Sequence, residues 1–308
     1  MRVYWKKHLL MILGFTTMRL VKSPLRYPGG KSKAVNFLSK FVPNFREFRE
    51  PMCGGASMTL YFAQIKPDAK YIMGDINYDL YCFWKTLKEI PEKLIKEIRL
   101  IKSSFLDGRR LFDELMGRRE RLNSCFERAV DFYVLNRITF SGTVDCGGYS
   151  ESAFRKRFTE SSIERLFEVS RVLKKVEVVW GDYEELLTAK GEDVFVFLDP
   201  PYFSAQSSKL YGKRGTLHVS FNHERLAELI KDCKHKVMIT YDNSPYIREL
   251  YKNFYLLEWK LKYGMTNYGR NYLREGDELL ITNYPLDNFL SSLKRQHLLF
   301  QKVAKYYA

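Results

Sequence analysis

The 308-residue chain is poor in cysteine, in long apolar runs and in repetition. Its five cysteines, at 53, 82, 125, 146 and 233, form no C-x-x-C pair and are odd in number, which argues against a zinc site and a disulfide framework alike. They read as reduced thiols of an intracellular protein, and no metal is expected. No apolar stretch approaches the roughly 18–20 residues that a bilayer-spanning helix needs, so no membrane partner is expected either. Internal repeats and low-complexity tracts are absent. The Gly-Gly-Lys-Ser at 29–32 has Leu25 where a Walker phosphate loop needs its first glycine, which argues against a nucleoside-triphosphate site. Acidic side chains are in deficit: 51 Lys and Arg face 36 Asp and Glu, a formal net charge of +15. That excess suits a polyanionic partner, although charge balance alone separates nucleic acid from acidic lipid poorly.

What is present is arranged around VFVFLDPPYF, residues 194–203. Its apolar residues run without polar alternation and predict a strand buried on both faces, as in the middle of a parallel sheet. Pro200 and Pro201 cannot donate to a ladder and must end it. Asp199, backbone carbonyls and the Tyr202 ring are therefore expected at the strand's C-terminal mouth, where open α/β sheets take their ligands. This combination suits attack by an exocyclic amine. Adenine N6 is a poor nucleophile because its lone pair is delocalised into the ring. Asp199 and the Pro200 carbonyl can accept its two hydrogens and aim the lone pair at an electrophile, with Tyr202 stacked on the base. The plain alternative is a buried strand ending in a Pro-Pro turn beside a solvated aspartate.

Asp-Pro-Pro-Tyr after an apolar strand resembles the catalytic motif of amino-group DNA methyltransferases, and further motifs in matching order resemble the D12 class of Dam-like adenine-N6 enzymes. In LRYPGGKSK, an aromatic followed by x-Gly-Gly-Lys, the resemblance implies S-adenosylmethionine contacts from Tyr27, Gly29, Gly30 and Lys31. The residues alone show a tight turn opening a helix. FREPMCGGASMTLYF reads as a strand, a Gly-rich turn and a helix from near Ala56, a junction at which a ligand can lie against backbone amides. It is similar to E-P-F-x-G-x-G, which implies cofactor contacts from Glu50, Pro51, Cys53, Gly54 and Gly55. The glycine pair is read as shifted by one against that motif, so which glycine touches the cofactor is open. YIMGDINYDL matches D-x-N-x-x-L through Asp75, Asn77 and Leu80. An acid about twenty residues beyond a Gly turn is placed for ribose hydroxyls, and the resemblance implies that Asp75, Ile76 and Asn77 serve the cofactor. Read alone, Asp75 caps the next helix. Residues 176–180 form a β-branched strand before Gly181-Asp182-Tyr183, similar to G-D-F. The likeness implies that Asp182 takes the cofactor's adenine amino group and Tyr183 packs near its ring; the alternative is Asp182 capping a helix over 183–189.

The resemblance covers roughly residues 24–284. It implies a Rossmann-like, doubly wound α/β sheet of the S-adenosylmethionine-dependent methyltransferase type, with an antiparallel C-terminal hairpin and an inserted, mainly helical target-recognition domain. The division expected is an N-terminal extension over 1–22, a catalytic domain over 23–84 and 176–288, a target-recognition domain over 85–175, and a basic helix over 289–308. Residues 1–17 read as dispensable, with Met18 the more natural start. In the insert, Arg109, Arg110, Arg118, Arg119, Arg121 and Arg128 alternate with acids and predict solvated i,i+4 pairs. Asn136 and Arg137 lead into SGTVDCGGYS with Tyr149, followed by Phe154, Arg155, Lys156, Arg157 and Phe158. Basic groups interleaved with aromatics suit phosphate contact and base or sugar packing, and the resemblance implies a β-hairpin here. The basic stretch 204–219, with Lys213 and Arg214, reads as a loop able to close on DNA. Strands over 254–263 and 278–284 are joined by GMTNYGRNYLREGD, which carries Arg270 and is a second DNA-facing candidate.

The expected activity is methyl transfer from S-adenosylmethionine to N6 of an adenine flipped from double-stranded DNA. Cytosine N4, an RNA base or a glutamine side chain as substrate, and a catalytically inactive DNA-binding relative, stay open as alternatives. A cytoplasmic, nucleoid-associated monomer or weak dimer is expected; whether it acts alone or beside a cognate restriction endonuclease is not legible in one chain. The target sequence is not legible, because readout depends on which side chains reach which groove edge.

Overall fold

The computed structural model describes residues 20–27, 29–144, 146–205, 221–262 and 275–291. The stretches around Lys213 and Arg214, around Arg270, and over 1–19 and 292–308 lie outside the described residues, so the expectations placed there are not addressed by it.

A turn at Gly29 opens a helical stretch in which α1 (Val35–Leu38) is flanked by 3-10 turns. Strand β1 (Glu47–Glu50) is followed by α2 (Ser57–Ile65), and β2 (Lys70–Asp75) by α3 (Tyr78–Glu89). Helices α4 (Pro91–Ser104), α5 (Gly108–Arg118), α6 (Cys125–Ile138), α7 (Glu151–Arg157) and α8 (Glu160–Leu173) separate β2 from β3 (Val176–Trp180). Then come α9 (Tyr183–Thr188), β4 (Val194–Leu198), α10 (His223–Lys231), β5 (Lys236–Asp242), α11 (Pro245–Leu250), β6 (Tyr255–Lys262) and β7 (Glu275–Thr282).

The strands form one sheet in the order β3-β2-β1-β4-β5-β7-β6. Strands β1 to β5 are parallel, and β7 runs antiparallel between β5 and β6. This is the doubly wound α/β methyltransferase sheet with an antiparallel C-terminal hairpin that the sequence predicts. The order reverses between β1 and β4, so their C-terminal ends flank the crevice where such sheets bind ligands.

Strand β4 is buried at every position, as an unalternating apolar run requires. Strand β1 is equally buried although it reads Glu-Phe-Arg-Glu. The Arg49 guanidinium resolves this: Nε donates to Glu47 Oε1 (2.6 Å), Nη1 to the Leu186 and Ala189 carbonyls (both 2.7 Å), and Nη2 to that of Lys190 (2.9 Å). A buried charge is tolerated where it is paired and fully hydrogen-bonded.

The inserted helices have no core of their own. One apolar cluster runs from the sheet face (Phe48, Tyr71, Phe195) into Leu94, Ile98, Leu111, Val134 and Leu166. Helix α6 is buried continuously from Ala129 to Ile138, as befits a helix packed on all sides. Two expectations for the insert need correction. Several of its arginines make tertiary pairs rather than solvated helical ones: Arg119 and Arg128 converge on Asp79 (2.7 and 2.8 Å) and Arg118 grips buried Asp131. Arg109 with Asp113 is an i,i+4 pair of the expected kind. The expected hairpin reduces, among the described residues, to one antiparallel bridge between Thr139 and Tyr149, and Arg155, Lys156 and Arg157 lie on α7. At the other end, Val21, within the expected extension, exchanges hydrogen bonds with the Gln64 side chain on α2 (2.8 and 3.0 Å).

Candidate active site

Asp199 follows the last residue of β4 and stands at the mouth of the crevice. The Lys31 ammonium donates to Asp199 Oδ1 at 2.6 Å and to the Gly29 carbonyl at 2.8 Å, and Thr240 Oγ1 on β5 donates to the same Oδ1 at 2.7 Å. Lys31 is 3% exposed, so the pair is shielded on the lysine side. No hydrogen bond from a described residue ends on Asp199 Oδ2, and the aspartate side chain keeps about a fifth of its surface. One carboxylate oxygen is fixed and the other is presented. The Tyr202 ring lies with its centroid 5.0 Å from Lys31 Nζ, and its hydroxyl donates to Glu278 on β7. Pro200 is buried and Pro201 half-buried between them.

The glycine turn faces this mouth from β1. Gly54 N donates to Asp75 Oδ2 and Asn77 N to Asp75 Oδ1, each at 3.0 Å, so Asp75 ties the turn to the end of β2. Asn77, not Asp75, caps α3, accepting from Asp79 N and Leu80 N. Gly54 has φ 44°, and a Cβ there would stand 2.7 Å from Cε1 of Tyr27, whose ring covers the turn. Ala56 is also left-handed, at φ 51° and ψ 36°. The two left-handed positions are thus spaced as the glycines of E-P-F-x-G-x-G are, so the expected one-residue shift is absent and an alanine stands at the second glycine's place. Gly55 is buried beside the Tyr27 Cβ, and Gly30 N donates to the Tyr27 carbonyl at 3.0 Å. Cys53 and Pro51 are buried.

Burial pushes the Glu50 carboxyl up to about 8, and the charge of Asp199 acts in the same direction. Glu50 Oε2 accepts the Thr59 amide at 2.8 Å and the Thr59 hydroxyl, which pins the start of α2 to β1. Asp75 is raised to about 6 by burial, and the Cys53 thiol lies far above its usual range through burial and the charges of Asp75 and Glu50. Two acids beside the crevice, Asp75 at the turn and Glu50 beneath it, would therefore gain from a cation. Beside it, Ile76 is exposed, and Trp180, 55% exposed, donates its indole N–H to the Ile76 carbonyl at 3.0 Å. Asp182 caps α9 by accepting Glu184 N at 3.0 Å, the structural alternative foreseen for it, and stays exposed. Tyr183 is half-buried against Phe221 (centroids 5.7 Å apart).

The sequence pattern of the D12 class N6 adenine-specific DNA methyltransferase family matches residues 27–265. The chain belongs to that family. Type II methyltransferase M.MjaIII of Methanocaldococcus jannaschii is 27% identical over 299 residues, covering 86% of this chain and 99% of its own. Type II methyltransferase M1.LlaDCHI of Lactococcus lactis subsp. cremoris is 27% identical over 282 residues, covering 84% and 94%. A DNA adenine methylase of Vibrio cholerae is 24% identical over 257 residues, covering 76% and 86%. Site-specific methylation of adenine in DNA is accordingly the activity of this D12-class enzyme.

The methyltransferase's expected DNA contacts divide sharply. Asn136 is 0% exposed: its side chain accepts Arg26 N (3.0 Å) and donates to the Arg26 and Gly142 carbonyls (both 2.9 Å). It clamps backbone and presents nothing to a ligand, so its assignment as a DNA contact is corrected. Arg137 is also buried, over the Tyr133 ring at 5.6 Å, and has little surface for a groove. Arg155, Lys156 and Arg157 are exposed on α7, with Arg155 paired to Glu151 at 2.5 Å. Tyr149 is half-buried and donates its hydroxyl to Glu151. Sequence reasoning missed Arg26, whose guanidinium is pushed down to about 10 by burial and by the charges of Arg137 and Arg157. It missed Phe140, 59% exposed beside the left-handed Ser141 (φ 55°). Thr240 and Glu278 were also missed. Arg26 stands next to the Tyr27 motif, a signal that was available; Thr240 and Glu278 sit in ordinary strand sequence and carry none.

Proposed function

We propose that this methyltransferase uses S-adenosylmethionine, held against the turn at 53–56, to methylate N6 of an adenine flipped from double-stranded DNA onto Tyr202. The observation that carries this reading is Asp199: Oδ1 is held by Lys31 and Thr240, Oδ2 takes no hydrogen bond from a described residue, and the same lysine stands over the Tyr202 ring. The cofactor suits the residues present. A cationic ligand offsets the unfavourable burial of Glu50 and Asp75, and the exposed Ile76 and Trp180 offer apolar surface to a purine. Tyr27, Gly54, Asp75, Ile76 and Asp182 would hold it, with Gly29, Gly30 and Asn77 shaping the two turns. Glu50 acts from beneath, through Thr59. When bound, S-adenosylmethionine supplies an electrophilic sulfonium methyl.

The chain's own groups position the base. Asp199 Oδ2 accepts one N6 hydrogen and the Pro200 carbonyl the other, which turns the lone pair out of conjugation. Lys31 keeps Asp199 aimed. The proton released from N6 has Asp199 Oδ2 as its first acceptor. Since the leaving group is neutral, alignment outweighs basicity, and effective molarity supplies several kcal/mol, up to about 7–11 in well-oriented cases. Residues 85–175 are read as the target-recognition region, with Arg26, Arg137 and Arg157 providing field toward phosphates and Lys156 and Arg157 the direct contacts. The relatives named type II methyltransferases favour a cognate restriction endonuclease as partner, with the enzyme at work on cytoplasmic DNA.

Incubating the protein with S-adenosylmethionine and DNA, then digesting to nucleosides for mass spectrometry, should yield N6-methyldeoxyadenosine; N4-methyldeoxycytidine alone would overturn the choice of base. Asp199→Ala should lose transfer while retaining a DNA gel shift, and methylation by that variant would sink the site assignment.

A further inference from the structure

Glu278 has no place in any motif, yet it touches the site. It lies on β7, in register with Asp242 of β5 on one side and Trp259 of β6 on the other, and is 1% exposed. Its neighbours Leu279, Leu280 and Ile281 are fully buried, and where only packing mattered an apolar residue at 278 would cost less than a carboxyl. The carboxyl has a defined partner: Oε2 accepts the Tyr202 hydroxyl. Burial, with the charges of Asp199 and Glu278, holds the Tyr202 phenol far above its usual range, so it stays a hydrogen-bond donor. Lys31, over the same ring, moderates the rise that burial imposes on Glu278, which reaches about 7. The groups facing Glu278 are thus Lys31, Asp199, Tyr202 and Asp242, from three different segments.

We propose that Glu278 is a positioning residue for methyl transfer, gripping the Tyr202 hydroxyl so that the ring on which the target base stacks keeps one plane. The idea rests on the stacking proposed above. The χ2 torsion of a tyrosine is broad, so a ring held only at its Cα end can swing. The phenol oxygen lies on the χ2 axis, but its O–H prefers the ring plane, so a hydrogen bond of fixed direction to Glu278 restrains both the χ1 swing of the ring and its plane, and keeps the stacked base, and hence N6, in line with Asp199 Oδ2. The antiparallel strand β7, set between β5 and β6, is what brings a carboxyl to this point.

The test is single-turnover methyl transfer by the full chain on DNA that it methylates, together with dissociation constants for S-adenosylmethionine and DNA. Glu278→Gln keeps an acceptor for the phenol and should stay within about threefold of the wild-type rate, whereas Glu278→Leu should lower it about ten- to hundredfold. Both dissociation constants should move less than about twofold, because binding is not what the contact serves. Combined with Tyr202→Phe, Glu278→Leu should add less than about twofold, since no hydroxyl is left to grip. A wild-type rate for Glu278→Leu, equal damage from Gln and Leu, or an additive loss in the Phe background overturns the inference. Should Glu278→Leu fail to fold by circular dichroism, the other two variants decide: a near-normal Gln rate with a slowed Tyr202→Phe supports it, and a wild-type rate for Tyr202→Phe overturns it. Tyr202→Ala separates the two levels. If it transfers normally, base stacking on Tyr202 is wrong; if it is inactive while Glu278→Leu is normal, only the role of Glu278 falls.

Discussion

At the C-terminal edge of β1 and β2, burial raises Glu50 to about 8 and Asp75 to about 6, whereas at the junction of the N-terminal turn with α6 and α7, burial and like charge lower Arg26 to about 10. One region would gain from a cation and its neighbour from an anion. Elsewhere the same chain buries charge with its complement inside the fold, as Arg49 with Glu47 and Arg119 with Asp79. The contrast separates two uses of a buried charge. A charge answered within the chain holds elements together, and one surrounded by its own sign or by apolar groups is relieved by a ligand. A sulfonium donor and a DNA phosphate are the ligands that match the two regions in sign.

Substitutions can break that contrast. The largest effect is expected from Lys31→Met, which removes the cation that orients Asp199: the single-turnover rate should fall about hundredfold or more with DNA affinity little changed. An unchanged rate would mean that Asp199 is aimed by Thr240 alone. Next, Asn136→Ala should destabilise the fold by about 2–4 kcal/mol, because it strands the Arg26 amide and the Arg26 and Gly142 carbonyls in a buried place. Thermal unfolding measures this, and a normal melting temperature with weakened DNA binding would restore Asn136 to the DNA surface. Arg157→Ala should weaken DNA binding about tenfold and reduce the salt slope of log K by about one, while leaving the rate of the bound complex alone.

The smallest effect sharpens the acidic side. The folded state holds the Glu50 proton up to about 8, against an ordinary value of 4.5. Between those values the unfolded chain releases a proton that the folded chain retains, so stability from this residue is complete below the lower value and declines as pH rises through the upper one. Glu50→Gln, which still accepts from Thr59, removes that slope. The melting-temperature advantage of the variant over wild type should therefore grow from about pH 5 to about pH 8. A difference that does not vary with pH would show Glu50 to be ionised throughout.

Much of the fold was legible. The apolar run ending at Asp199 announced a buried strand and its termination, and the β-branched 176–180 stretch coincides with β3. Strand β1 was harder, since Glu-Phe-Arg-Glu has neither the apolar run nor the alternation of a buried strand, and its burial depends on carbonyls that α9 and the following turn bring to Arg49. Asn136 misled because a polar residue beside an arginine and a glycine loop looks the same in sequence whether it faces DNA or clamps backbone.

By itself the sequence determined that β4 is a buried strand, that two prolines end it, where the glycine-rich turns lie, and which acid follows that strand, because proline, glycine and apolar periodicity act over a few residues. Only the tertiary structure decided that Lys31 meets Asp199 from 168 positions away, and that Glu278 meets Tyr202 from 76. Those pairings exist only once β4, β5 and β7 lie side by side, and the charges they bury are settled by neighbours that no local pattern names.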